Sequence, residues 1–283
     1  MARGISIHVG LNAVDPTHYS GWDGALTACE FDANDMESLA RSRGFETSKL
    51  LTADATAKAV AEAIESAASE LATGDLLFIS YSGHGGQVPD INDEEEVDRS
   101  DETWLAYDRQ IVDDELYALW AKLKPGVRVI VLSDSCHSGS VIKDITNRSS
   151  VPDPVRTAEE AAKQDPRFRA LPRDKMIETY AQNHVLYDGI QDRVASSTST
   201  MSDVGATVLL ISGCQDDQLS RDGFMNGAFT AQLLEAWGDG AWKGSYPAFH
   251  EAIRSAMPDD QQPNYKLVGA ADPAFEEQEP FSI

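Results

Sequence analysis

The sequence predicts an α/β fold, a mostly parallel central sheet flanked by helices on both faces. Three observations carry that expectation. Short apolar runs alternate with helix-periodic stretches, the grammar of βαβ units. Two of those runs, in LLFISYSGHGGQ (76–87) and VIVLSDSCHSGS (129–140), stop abruptly on small-residue turns. Each turn carries a reactive side chain, His84 in the first and Cys136 in the second.

The elements follow in order. Ile5 to Leu11 is a short β-rich run, and a loop marked by Gly, Pro and Ser comes after it. Leu26, Cys29, Ala33, Met36 and Leu39 recur every three or four positions, a helical stripe stopped near Gly44. Phe45 to Leu51 reads as the next strand. Thr56 can cap a helix running through Val60, Ile64 and Ala67 to Leu71, with Gly74 ending it. The strand at 76–82 follows, then an acidic loop over 88–102 and a short strand from Trp104 to Tyr107. DDELYALWAKL reads as a helix stopped at Lys124-Pro125-Gly126, ahead of a strand at 127–133. A long polar segment with helical pieces spans about 141–206, including the tract ASSTSTMSD. The pattern resumes with a strand at 207–212 and helices around 227–237 and 247–256, and there is no internal repeat.

At 283 residues the chain suffices for one large domain or two small ones. Its 47 acidic and 23 basic residues give a formal charge of −24, which argues against nucleic acid or an anionic membrane as partner. A basic substrate and simple solubility both fit that charge. No 18-residue apolar run suggests a membrane span. The start, MARGISIHVGLN, turns polar too early for the signal peptide pattern, and no prodomain is expected ahead of it. Cys29, Cys136 and Cys214 are odd in number and widely spaced, which points to reduced thiols in a cytoplasmic protein rather than disulfides or a zinc site. The polar segment breaks the charge rule: residues 143–193 hold nine of the 23 basic residues, namely Lys143, Arg148, Arg156, Lys163, Arg167, Arg169, Arg173, Lys175 and Arg193. A loop this long in a compact domain calls for a functional or a disordered explanation.

In open parallel sheets chemistry gathers at the carboxyl ends of the strands, where His84 and Cys136 both fall. A cysteine attacks as thiolate, and a nearby imidazole can hold it ionised and later protonate a leaving amine. The flanking glycines let a substrate backbone approach, and the backbone N–H groups of Gly85 and Cys136 are candidates for an oxyanion hole. Taken singly, the histidine could be polar trim and the glycine turn a phosphate cradle. Their pairing 52 positions apart (84 to 136) is the stronger signal.

Together YSGHG and DSCHSG resemble the metacaspases, including their prokaryotic members, within the caspase-like cysteine peptidases. The likeness continues through CEFDAND, GQVPD, DET, IVDDEL, ISGCQDDQ, QQPNYKLVG and a final PF, spanning Ile5 to Phe281. It implies a caspase-like fold and a single peptidase domain over 1–283. Residues 1–142 would be a large-subunit-like part, 143–206 a cleavable basic linker and 207–283 a small-subunit-like part. It implies a cysteine endopeptidase with a His84–Cys136 dyad that cuts after Arg or Lys. Asp32 and Asp134 would line the pocket for the basic side chain. Spacing alone does not exclude Asp32 as a solvated helix residue.

The resemblance also implies calcium at Asp101, Glu102, Asp113 and Asp114, although the acidic loop here is longer and the DET-to-DD connection shorter than in the family. A solvated acidic loop and a helix N-terminus favouring Asp113 and Asp114 explain the same residues. The chemistry itself needs no cofactor. Protein substrates with exposed Arg or Lys, a monomeric state and maturation by linker cleavage within 143–193 complete what the likeness implies. The cut would be made by the enzyme itself or by an upstream protease.

Elsewhere, Cys29 and Cys214 read as small hydrophobes, and Trp120 and Trp237 as packing residues. Asp216 and Asp217 fit a cleft or a turn, and His137 is a rival base placed in the nucleophile's own turn. The alternative class is a catalytically silent caspase-fold adaptor or regulator, which would have no need of His84 and Cys136. A nucleotide-binding reading of SGHGG lacks any accompanying Lys or Arg.

Overall fold

Strand β3 (Leu76–Ser82) runs beside β7 (Arg128–Asp134) with Ser82 opposite Asp134, so the two apolar runs end at the same level. All seven residues of each are buried, as strands covered on both faces must be. The computed structural model of the chain describes residues 2–91, 100–136, 168–196, 204–214, 220–223 and 225–283. Around the central pair lie β1 (Gly4–Gly10), β2 (Glu46–Leu51), β8 (Thr207–Ser212) and β9 (Asn264–Gly269), in the order β2-β1-β3-β7-β8-β9. The first five strands are parallel, and β9 closes the edge antiparallel to β8.

Alternation along the strands sends side chains to two cores. Leu77, Ile79 and Tyr81 of β3 join Val129 and Val131 of β7 on one face. There they meet Val60, Ile64 and Ala67 of α2 (Ala57–Glu70) and Leu116, Leu119 and Trp120 of α3 (Asp113–Trp120). On the other face Phe78, Ile130 and Leu132 meet Met36 and Leu39 of α1 (Cys29–Ser42), and the helices after β8 complete that layer. Thr56 caps α2 as its sequence predicts, its side chain accepting from the Ala59 amide.

Two regions depart from the sequence reading. Residues read as a turn and an acidic loop include β4 (Gly85–Pro89) and β5 (Ser100–Leu105), which with β6 (Gln110–Val112) form a small antiparallel sheet. Within the long polar segment, α4 (Arg173–Ser196) is a 24-residue helix. Its Tyr187 and Ile190 pack with Val88 of β4 and Val112 of β6, so this stretch is docked rather than an open tether. Helices α5 (Ala228–Trp237) and α6 (Tyr246–Ala256) match their expected positions, and a single turn, α7 (Pro273–Glu276), follows β9. Among the described residues no helix is long and apolar enough to cross a membrane.

Candidate active site

His84 and Cys136 each lie two residues past the ends of β3 and β7. The turns touch closely: a Cβ on Gly85 would stand 1.7 Å from the Cys136 carbonyl oxygen, so only glycine fits there. His84 is buried beneath the loop before α1. Its Nε2 donates to the Gly24 carbonyl at 2.9 Å, which fixes the tautomer and leaves the Nδ1 lone pair without a partner. The Trp22 ring stands 4.7 Å from the imidazole. Burial pulls the His84 pKa down to about 4, against the Gly24 bond, so the ring is neutral near pH 7.

The Cys136 thiol is also buried, its Sγ accepting from the Ser220 amide at 2.7 Å. Among the described residues no hydrogen bond joins the imidazole to the thiol. The fold brings the two expected residues to neighbouring strand ends and leaves the thiol turned toward Ser220. Cys29 and Cys214 are buried thiols outside any disulfide, with burial pushing the Cys29 thiol up to about 12.

Asp32 and Asp134, 102 positions apart in sequence (32 to 134), meet around the side chain of Arg169. Its guanidinium is fully buried and lies 2.7 Å from Asp32, 2.9 Å from Asp134 and 2.9 Å from Asp222. Ser82 links the cluster back to β3, donating to Asp32 at 2.6 Å and accepting from Arg169 at 2.9 Å. Each carboxylate has further donors: Asn226 and Gly227 for Asp32, Ser220 and Thr230 for Asp134, and Thr27 for Asp222. Gly227 lets the backbone close on the cluster, since a Cβ there would stand 2.5 Å from Asp134 Oδ2 and 2.6 Å from the guanidinium carbon. Burial works against the charge of Arg169, and Asp134 leads the carboxylates that outweigh it and hold the group a cation. Burial pushes the Asp32 carboxyl up, opposed by Arg169.

The backbone of Arg169 is held as firmly as its side chain. Its carbonyl oxygen accepts from the Gly85 amide at 3.0 Å and the Cys136 amide at 3.1 Å. Those are the two groups the sequence offers as an oxyanion hole. The Arg169 amide donates to Ser220 at 3.0 Å, and the Leu171 amide to the Gly85 carbonyl at 2.8 Å. Phe168 pairs with Arg221, whose guanidinium lies 6.0 Å from its ring. Residues 168–171 thus lie as an added strand, with the Arg169 carbonyl directed at the amide of the buried cysteine.

The other candidates sit elsewhere. Asp101 and Glu102 belong to β5, while Asp113 and Asp114 start α3. Among the described residues no three His, Cys, Asp or Glu gather as a group able to hold a metal ion. Asp216, Asp217, His137 and the basic residues 143, 148, 156, 163 and 167 lie outside the described residues. Sequence reasoning missed Asp222, Ser220, Gly227 and Gly24. It also counted Arg169 as one of nine basic residues without singling it out.

A family model described as "Caspase domain" matches residues 13–275. Metacaspase-1B of Aspergillus oryzae is 28% identical over 246 residues, covering 78% of this chain and 57% of that protein. Metacaspase-1 of Schizosaccharomyces pombe is 34% identical over 187 residues, covering 60% of this chain and 42% of that protein. The chain thus spans about half the length of these curated relatives. The crystal structure of protein GSU0716 from Geobacter sulfurreducens superposes with a TM-score of 0.86 at 49% identity, over 99% of this chain and 98% of that one. Caspase-1 from Spodoptera frugiperda shares the fold, with a TM-score of 0.52 at 13% identity over 99% of this chain and 92% of that one.

Proposed function

The chain belongs to the caspase domain family, and on that premise we propose that it is a cysteine endopeptidase that cleaves after Arg, and less well after Lys, with Cys136 as nucleophile and His84 as base. The observation that carries the reading is Arg169, its side chain among Asp32, Asp134 and Asp222 and its carbonyl on the amides of Gly85 and Cys136. Three buried carboxylates without a cation would be strongly disfavoured, so such a pocket selects a basic residue. Arg uses both terminal nitrogens here, Nη2 toward Asp32 and Asp222 and Nη1 toward Asp134. A lysine ammonium is a single point and cannot span them, which favours Arg by roughly ten-fold or more.

The chemistry follows from the atoms. Cys136 rotates from Ser220, loses its proton to His84 Nδ1 and attacks the arginyl carbonyl carbon. The carbonyl electrons move onto the oxygen between the two amides. The C–N bond then breaks as the imidazolium gives its proton to the departing amine, leaving a thioester that water hydrolyses with His84 again as base. Gly24 keeps Nε2 occupied, so Nδ1 carries both transfers.

Maturation is part of the proposal. The expected cut within 143–193 narrows to the Arg169–Ala170 bond, made by the chain itself or by an upstream protease. While Arg169 fills the pocket no other basic side chain enters, so the uncut chain is its own inhibitor. Calcium, were it bound, would be held by Asp101 and Glu102 of β5 and Asp113 and Asp114 of α3.

Fluorogenic peptides ending in Arg, Lys or Asp test the function, run with EDTA and with millimolar calcium, with Cys136→Ala as control. Cleavage after Arg above Lys, absent in the variant, is expected. Cleavage after Asp would overturn the pocket, and silence of linker-cut protein in every lane would leave a caspase-fold adaptor.

A further inference from the structure

We propose that the site also reads the second residue beyond the cleaved bond, and that it takes a large aliphatic side chain there. This rests on the reading above, in which Arg169–Ala170 lies where a substrate bond would lie. On that reading Leu171 holds the second position after the bond. Its side chain is 2% exposed, in an apolar nest with Val14 and Tyr19 from the loop after β1, Leu105 at the end of β5, and Trp22 packed alongside. Only Met176 in that nest comes from the helix following the bond. The remaining four belong to the body of the protein, so they form a receptor for whatever chain lies in the groove.

The backbone is fixed at the same place. The Leu171 amide donates to the Gly85 carbonyl at 2.8 Å, while the Gly85 amide binds the Arg169 carbonyl. One residue therefore clamps the chain on both sides of the bond, and this sets which side chain falls into the nest. The Tyr19 hydroxyl donates to the Ala106 carbonyl at 2.8 Å, leaving no hydroxyl proton of that ring free to meet a carboxylate occupant. Ala170 between them is partly exposed and enters no apolar cluster, so selection falls on the second position rather than the first.

The nest adjoins the base. Trp22 packs against the nest on one side and stands 4.7 Å from the His84 ring on the other, and Gly24 in the same loop accepts from His84 Nε2. Trp22 is thus a positioning residue. An aliphatic occupant braces the loop that orients His84, so an unsuitable residue lowers kcat as well as raising KM.

Internally quenched peptides carrying Phe-Arg-Ala-X-Pro, with X as Leu, Val, Gly or Asp, test this against chain already cut at Arg169–Ala170. A second arm follows self-cleavage at that bond in full-length Leu171→Asp and Leu171→Met. We expect Leu above Asp by roughly twenty-fold or more in kcat/KM, with Val and Gly between, because a carboxylate in the nest finds no partner. Trp22→Ala should shrink that ratio and lower kcat for the Leu peptide. Leu171→Met should self-cleave within about three-fold of the unaltered chain and Leu171→Asp far more slowly. Equal rates for all four peptides, with Leu171→Asp cutting as fast as the unaltered chain, would overturn this inference alone. If no Arg peptide is cut by any form, the peptidase reading fails first and this one falls with it.

Discussion

The turn after β7 and the turn after β3 meet at one site yet differ in how completely their polar groups are satisfied. At the end of β7 the Asp134 carboxylate takes bonds from Ser220, Thr230 and Arg169, Ser135 pairs with Ser133, and the Cys136 thiol meets the Ser220 amide. At the end of β3 the His84 ring has a single hydrogen bond, through Nε2, and a buried Nδ1 with none. Buried polar groups in folded proteins are nearly always paired, so an unpaired one needs a reason. On the proposed reading, the difference teaches that the β7 side would be a recognition surface occupied by the chain's own Arg169, while the β3 side would hold its capacity in reserve for a proton.

The largest expected effects separate the two turns directly. His84→Gln should lower kcat on Arg peptides by roughly 10³-fold with KM little changed, since it removes proton transfer and leaves the pocket intact. Asp134→Asn should cut kcat/KM by about 10²-fold, chiefly through KM, because one of three carboxylates facing the guanidinium is lost. Steady-state kinetics on both variants would break the comparison if the split ran the other way.

A smaller effect sharpens it. His84 is neutral in the fold, with a pKa pulled to about 4, while an unfolded histidine titrates near its ordinary value of 6.5. Between those values the unfolded chain binds more protons, so stability is present at neutral pH and is lost as pH falls. From pH 6.5 to 5 the loss from this residue is about 2 kcal/mol. His8, buried between Ser6 and Ser80 with its pKa pulled to about 3, adds a decline of the same sign. Thermal unfolding of Cys136→Ala across that range should show the decline, and adding His84→Gln should flatten part of it. An unchanged slope would mean that His84 is not buried neutral.

The same contrast explains what was legible in the sequence. Strands buried on both faces print themselves as apolar runs, and a reactive residue just past such a run stands out, so β3, β7, His84 and Cys136 were readable. Asp32 and Asp134 came only through family likeness, because an acid on a helix and an acid at a strand end share no local pattern. Asp222, Ser220 and Gly227 follow β8 on largely irregular backbone, where no periodicity marks them. Arg169 has the same sequence character as its eight basic neighbours, and only tertiary placement buries it. Helix α4 is legible only as helical pieces without bounds, because its buried positions, Met176, Thr179, Tyr187, Ile190 and Gln191, mix polar with apolar. Strand β9 reads poorly since most of its residues are partly or fully exposed at a sheet edge.

The most direct test of the central claim is the identity of the fragments formed by purified chain, read by intact mass and N-terminal sequencing beside Cys136→Ala. Two fragments, the second beginning at Ala170, from the unaltered chain and a single intact species from the variant are the expected result. An Ala170 terminus appearing equally in Cys136→Ala purified from the same cells would place the cut in another protease. Unaltered chain that stays whole and leaves Arg peptides untouched would contradict the account.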